Sequence, residues 1–421
     1  EAETDRNKAL KIATEEKRKK MISIARSLAV RSLNYQDEKD LQILLAYQGY
    51  IFNDRFQGTS NDADIYTALY NVGKRYGNRN YGQFVNGNVE VTAMAEEPSG
   101  NFFYTAEKSG RILQWQTDNP GKGYNVIWTG DMLIEIMTVS PDAAWLACGT
   151  AASEIIMIPL SGSNLSYQMA GSGGNISALV FSNSGNRLYS ATVRGQVAEW
   201  DLASHTGTDI TRALSGIKAM DISGDNRLLA GLTGDGKVLV WQIDSGKQVV
   251  ILDLGVKVIT SLRFVPWDQR LVTGDEDGSI EIWNTAEKRI ADSFPGHDSG
   301  IKHIAFNRNR KQMATAGEEK FIKLWNFDDL REVPPIITDC SESIVKIGFT
   351  DNGKVLLAAT IDGVIKRPAH VEYMTTGICD KVTRNLSPEE WTAFVGRDIE
   401  YENTCLDKTY RIRVTEIRGG K

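Results

Sequence analysis

From about residue 85 to residue 368, apolar and polar residues alternate in pieces of four to seven, with Asp, Asn and Gly between the pieces. A period of two broken by tight-turn residues predicts short antiparallel strands. Five of the apolar runs end in tryptophan, at Trp115, Trp200, Trp241, Trp283 and Trp325. The last four are 41 or 42 residues apart, and the gap of 85 before Trp200 is two periods, so a degenerate repeat ending at Ile158 belongs midway. One further period after Trp325 reaches Pro368, which makes seven repeats. Around Trp283 each strand can be traced, over residues 259–264, 270–273 and 279–283, so that a repeat supplies about four strands.

Seven four-stranded units stacked radially bury both faces of the inner strands and leave only short edges. The predicted fold class is therefore all-β, a seven-bladed β-propeller with N-terminal helices and a short C-terminal helical extension. The seventh repeat lacks a fourth strand, and residues 81–84 are expected to supply it by pairing with residues 364–367. The motif residues resemble the WD-repeat family. Gly296-His297, Thr315 and Trp325 match in repeat six, with Glu319 where that family has Asp. Thr273, Asp277 and Trp283 match in repeat five, Asp235 and Trp241 in repeat four, and Trp200-Asp201 is the one literal Trp-Asp pair. The resemblance covers roughly residues 85–368, and repeats two and seven depart from it most. It implies a network of His, Ser or Thr, acid and Trp inside a blade, so His297 is expected to stabilise the fold, and Asp277 and Asp235 to tie turns to the backbone.

Outside the repeats the period becomes helical. Helices are predicted over residues 4–33, with Met21, Ile24, Ala25, Leu28 and Ala29 on one face, over 37–52, and over 61–76 with Asn61 as N-cap. Ser387, Pro388 and Glu390 form a helix start, and Trp391 and Phe394 one turn apart need a partner surface. The expected organisation is a helical region over 1–80, the propeller over 81–368 and a helical extension over 369–421.

Composition narrows the function. Lys plus Arg number 48 against 54 Asp plus Glu, and a net charge of −6 offers no general pull toward nucleic acid or an anionic membrane. A nucleic-acid partner is not expected. No apolar run reaches the length of a bilayer span. The start, Glu-Ala-Glu-Thr, lacks an initiator Met and a signal-peptide pattern, which suggests a piece of a longer protein with a membrane tether or another domain upstream of residue 1. Lys17, Arg18, Lys19 and Lys20 read as the solvated start of a helix, with a membrane-surface anchor as the lesser alternative. Cys148 and Cys340 read as packing or surface residues. Cys379 and Cys405 bracket the C-terminal helix, and a bridge or two thiols stay equally open, the first fitting an oxidising compartment and the second the cytoplasm.

A narrower resemblance rests on residues 25–29 (Ala-Arg-Ser-Leu-Ala), 44–48 (Leu-Leu-Ala-Tyr-Gln), 384–391 (Arg-Asn-Leu-Ser-Pro-Glu-Glu-Trp) and Thr404-Cys405. It is to the C-terminal half of bacterial multidomain signalling proteins in which a nucleotidase or caspase-like domain precedes WD repeats. It implies a sensor or scaffold module and does not fix the compartment, which stays open between cytoplasm and periplasm, with or without membrane association.

Motifs for chemistry are missing. There is no phosphate loop, and the glycine-rich run 171–174 lies between strands as a hairpin loop. The histidines His205, His297, His303 and His370 are scattered, without His-Glu-x-x-His or paired Cys-x-x-Cys spacing, and no nucleophile elbow occurs. No catalytic, cofactor-binding or metal residue is expected, and the chain is expected not to be an enzyme. A propeller hydrolase would need carboxylates at the central channel, for which Asp275, Glu276 and Glu318 are the nearest candidates. The leading expectation is a non-catalytic protein-binding scaffold or sensor, with partners on the propeller's loop face. The alternative is a structural subunit of a cell-envelope or membrane-associated assembly, tethered by the N-terminal helices.

Overall fold

The structure is a computed structural model that describes residues 2–77, 81–85, 87, 89–161, 165–171, 173–245, 248–252, 257–350, 352–406 and 408. Position 172 of the glycine-rich run and the end of the extension after 408 lie outside them. Two compact units result, one of Glu1–Tyr81, Val333–Pro335 and His370–Lys421, the other of Gly82–Glu332 and Ile336–Ala369.

The second unit is a seven-bladed propeller of four-stranded antiparallel sheets. Six blades use four consecutive strands. In the seventh the outermost place is taken by β1 (Gly82–Phe84), which pairs Gly82 with Lys366, Gln83 with Ile365 and Phe84 with Val364, as the sequence predicts. Phe84 anchors this closure because its buried ring meets Phe103 at 4.8 Å and Trp115 at 5.7 Å.

Every innermost strand shifts register after its first residue. Side chains just after the shift reach the next blade. Thr92 donates to the Ile134 carbonyl (2.7 Å), Thr260 to that of Ile301 (2.6 Å) and His303 Nε2 to that of Ile344 (3.1 Å). These bonds satisfy carbonyls that lack a ladder partner and stitch neighbouring blades together.

Within blades the tryptophan register follows one rule. The indole N–H of Trp115, Trp200, Trp283 and Trp325 donates to a hydroxyl ten residues earlier, on Thr105, Ser190, Thr273 and Thr315, at 2.8–3.1 Å. In blade four the slot holds Gly231, where a Cβ would come within 2.7 Å of the Trp241 ring. Blades two and seven carry Cys148 with Ile158 and Ala358 with Pro368, so packing alone serves there. Both free cysteines are buried, and burial pushes the Cys340 thiol up to about 12.

Two turn assignments change: in blade four Thr233 accepts from the Lys237 N–H (2.9 Å), while the exposed Asp235 accepts from the Ser215 hydroxyl (2.7 Å). Asp277 is exposed, and the tie is made by Asp275, whose carboxylate accepts from the N–H groups of Asp277 (3.1 Å) and Ser279 (2.7 Å). Asp275 shares a strand face with Thr273, two residues earlier, so it points into the blade while Asp277 tops the turn. Thr150 and Thr192 occupy the same place in their blades and accept from two turn N–H groups each.

The first unit holds α1 (Ala2–Ser32), α2 (Lys39–Arg55), α3 (Ala63–Tyr76) and α4 (Pro388–Phe394). Burial on α1 begins at Met21 and continues through Ala25, Leu28 and Ala29, and the helix packs on α2 and α3, where Leu44, Leu45 and Leu69 are also buried. Gly49 lets α1 and α2 approach, since a Cβ there would meet the Ala25 carbonyl at 2.7 Å. The N-cap of α3 is Asp62, which accepts from Asp64 and Ile65 N–H groups. Asn61, expected in that role, instead accepts from the Val371 N–H (3.1 Å). Ser387 and Glu390 form a capping box on α4. Trp391 finds its partner surface in Phe52 (6.0 Å) and Tyr401 (5.4 Å), and Phe394 in Tyr35 (5.5 Å). Cys379 and Cys405 form a disulfide with Cα atoms 5.6 Å apart, across a separation of 26 residues. A loop of that length is worth about 3–4 kcal/mol on the chain-entropy model. Among the described residues no helix is long and apolar enough to cross a membrane.

Candidate interaction surface and central channel

Strand direction alternates within each blade, so the connections divide between two faces. Loops joining first to second and third to fourth strands form a turn face; those joining second to third strands, and each blade to the next, form a loop face.

The turn face satisfies its own polar groups. Ser223 donates to Asp225 (2.7 Å), Asp225 accepts from the Arg227 N–H (3.1 Å), and Ser223 Oγ accepts from the Leu228 N–H (2.9 Å). Ser140, Asp142 and Trp145 repeat this arrangement in blade two. Neighbouring turns are also clipped together, by Gln269 to Asp225 (2.8 Å), Asn183 to the Ser223 carbonyl (3.0 Å) and Asn307 to the Gly353 carbonyl (2.8 Å).

The loop face is different. Among the described residues, the large apolar side chains left exposed in loops between propeller strands are Val85, Leu133, Val193, Leu214, Phe321 and Ile361 there, against Leu165 and Val333 in connections of the turn-face kind. Leu214 is wholly exposed and Val193 is 52% exposed. Repeated exposure on one face makes that face the candidate interaction surface, where one apolar residue alone would carry no argument.

The innermost strands enclose a channel cavity of about 290 Å³. Its charged lining is basic, with Lys218, Arg263, Lys302, His303 and Lys346, and none of Asp275, Glu276 or Glu318 lines it. Asp275 is buried in its turn, Glu276 is exposed, and Glu318 pairs with Lys302 at 2.7 Å. The gathering of carboxylates that a hydrolase would need does not form. Most of the channel cations are structural. Arg263 donates to Asp221 (3.2 Å) and the Ile304 carbonyl (3.4 Å), joining three blades, while Lys346 donates to the Met94 carbonyl (2.8 Å) across the ring closure. Burial pushes His303 down to about 4, so it is neutral near pH 7.

His297 is buried and bonds Thr315 (2.7 Å) and Glu319, while the Trp325 N–H donates to the same Thr315 hydroxyl. Glu319 thus serves where the WD-repeat motif has Asp. His205 stacks on Tyr167 at 4.2 Å, and His370 belongs to the other unit. Among the described residues no group of three or more His, Cys, Asp or Glu side chains stands close enough to hold a metal. The exposed apolar residues and the channel cations escaped the sequence reading. A signal for the first was present, because Val193, Leu214 and Ile361 each stand two residues before a glycine at or beside the start of a strand.

Comparison with known proteins agrees with this geometry. The family model described as WD domain, G-beta repeat, matches residues 252–284 and 288–326. This chain carries WD repeats. Over 269 residues it is 21% identical to "Periodic tryptophan protein 2 homolog" of Dictyostelium discoideum, which covers 52% of this chain and 29% of that protein. It is 27% identical over 159 residues to "Pre-mRNA-processing factor 19" of Oryza sativa subsp. japonica, covering 36% of this chain and 29% of that one. It is 24% identical over 127 residues to "U3 small nucleolar RNA-associated protein 12" of Saccharomyces cerevisiae, covering 30% and 13%. The WD-repeat match spans less than a third of each of these curated relatives. All three are eukaryotic, and they lend no support to the resemblance to bacterial signalling proteins.

Proposed function

We propose that this chain is a protein-interaction scaffold whose propeller takes its partner on the loop face. The observation that carries the reading is the partition of exposed apolar loop residues among the described residues, with six on the loop face against Leu165 and Val333 in turn-face connections. The relatives favour a place in a larger assembly, since one is named as a pre-mRNA-processing factor and another as associated with a small nucleolar RNA. The net charge of −6 favours protein over direct contact with nucleic acid. The finer reading, a module of a larger signalling protein with an upstream catalytic domain, rests on the motifs at residues 25–29, 44–48 and 384–391 alone.

The test compares matched variants as bait. Val193→Asp with Leu214→Asp should abolish capture of partners that the wild-type chain retains, and Leu165→Asp on the turn face should leave capture intact. Loss with Leu165→Asp and retention with the loop-face pair would overturn the assignment.

A further inference from the structure

The loop face is also polarised in charge. We infer that its partner segment is a polypeptide carrying Lys or Arg next to large apolar side chains, an inference that rests on the loop-face reading. Blades five to seven present the exposed carboxylates of Glu276, Asp277, Asp298 and Asp362, with the exposed rings and branches of Phe321 and Ile361 among them. The cations on this side are already engaged. Lys302 pairs with Glu318 at 2.7 Å, and Lys320 lies 3.7 Å from Glu342 while donating to the Ser341 carbonyl at 2.9 Å. Lys257 serves the buried Glu281 at 2.6 Å and lies 3.7 Å from Asp275. The four exposed carboxylates therefore face solvent as an unneutralised arc.

Blades three and four present the complement, with Val193 and Leu214 beside Arg194 and Lys218; among the described residues their exposed loop carboxylate Asp235 lies 3.4 Å from Lys237. A segment laid across the mouth of the propeller meets apolar side chains over one half and carboxylates over the other. Apolar anchors supply most of the affinity at such surfaces, and the charges set orientation and encounter rate. The acidic arc repels a phosphate backbone, which excludes nucleic acid as occupant of this half. Exposed single ion pairs are weak, so discrimination requires the arc as a whole.

Fluorescent peptides of about 12 residues and three compositions probe this on the full chain by anisotropy: Lys/Arg with Leu/Phe, Glu/Asp with Leu/Phe, and Lys/Arg with Ser. The basic and apolar peptide should bind about tenfold more tightly than either other. Raising salt from about 0.05 M to about 0.3 M should weaken it about threefold or more. Glu276→Lys with Asp277→Lys should weaken it about fivefold or more, and Leu165→Asp should not. Both altered carboxylates are exposed turn residues, so the variant's circular dichroism and melting should match wild type. Equal or tighter binding of the acidic peptide, no binding of the basic one, or indifference to the charge reversal would each overturn the inference. Partner capture that survives the reversal but is lost with Leu214→Asp would overturn the charge claim and leave the loop-face reading standing.

Discussion

On the turn face Asp225 takes the hydroxyl of Ser223, the N–H of Arg227 and the amide of Gln269 from the next blade, whereas on the loop face Leu214 stands wholly exposed between Ala213 and Ser215. Both features close a hairpin or join two blades, yet one gathers three donors on a single carboxylate and the other leaves apolar surface in water. The loop face also carries structural bonds, in the Asp275 turn and in the network of His297, Thr315 and Glu319, but the side chains of Val193 and Leu214 stand outside them. Stability and recognition should therefore separate at these exposed apolar positions.

The wall between the faces sets the largest expected effect. Burial holds His303 at about 4, below the roughly 6.5 of an unfolded histidine. A depressed histidine value means that the unfolded chain binds the proton first, so stability should fall as pH drops from about 6.5 toward 4, by roughly 3 kcal/mol. His303→Gln should flatten that fall in denaturant titrations, and an unchanged slope would remove the channel histidine from the account. Next comes the turn face. Asn307 is buried, donates to the Gly353 carbonyl and accepts from the Asn309 N–H at 3.2 Å. Asn307→Ala should cost about 2–3 kcal/mol, read as a lower denaturant midpoint.

Leu214→Asp should invert that pattern, lowering partner affinity about tenfold, or about 1.4 kcal/mol, while moving stability by less than about 0.5 kcal/mol. A variant that unfolds instead would show that the loop face is structural. Ser223→Ala, which removes the acceptor of the Leu228 N–H, should cost about 1 kcal/mol and leave binding unchanged. The smallest effect is a shallow acid dependence. The Ser140 hydroxyl holds Asp142 below the usual carboxylate range; burial raises Asp225, but the Ser223 hydroxyl and the Arg227 N–H outweigh it. These depressed carboxyls contribute stability above an unfolded value of about 3.9, which is lost as pH falls through their folded values, and Ser140→Ala with Ser223→Ala should reduce that loss.

The blade count and the closing strand were legible because they depend on period and on apolar burial, both of which the chain states locally. Trp325 announces its blade, and Pro368 holds the same register without the indole. The capping box at Ser387 and Glu390 was readable for the same reason, being set by four consecutive residues. Choices between adjacent polar residues were not. Asn61 and Asp62 can both cap a helix, and the Val371 N–H, more than 300 residues away in sequence, takes Asn61. Asp277 aligns with the family position, but Asp275 sits on the strand face that points inward. The loop-face apolar residues were not legible because an apolar residue beside a strand reads the same in sequence whether its loop buries it or exposes it. The disulfide between Cys379 and Cys405 was open in the sequence, since spacing alone does not fix whether two sulfurs meet.

Hydrogen exchange on the chain with a captured partner bound, compared with the chain alone, tests the division between faces most directly. Protection should gather in residues 193–195, 213–216 and 318–321 of the loop face and leave 182–186, 223–227 and 265–269 of the turn face unchanged. Protection confined to the turn-face segments would contradict the account.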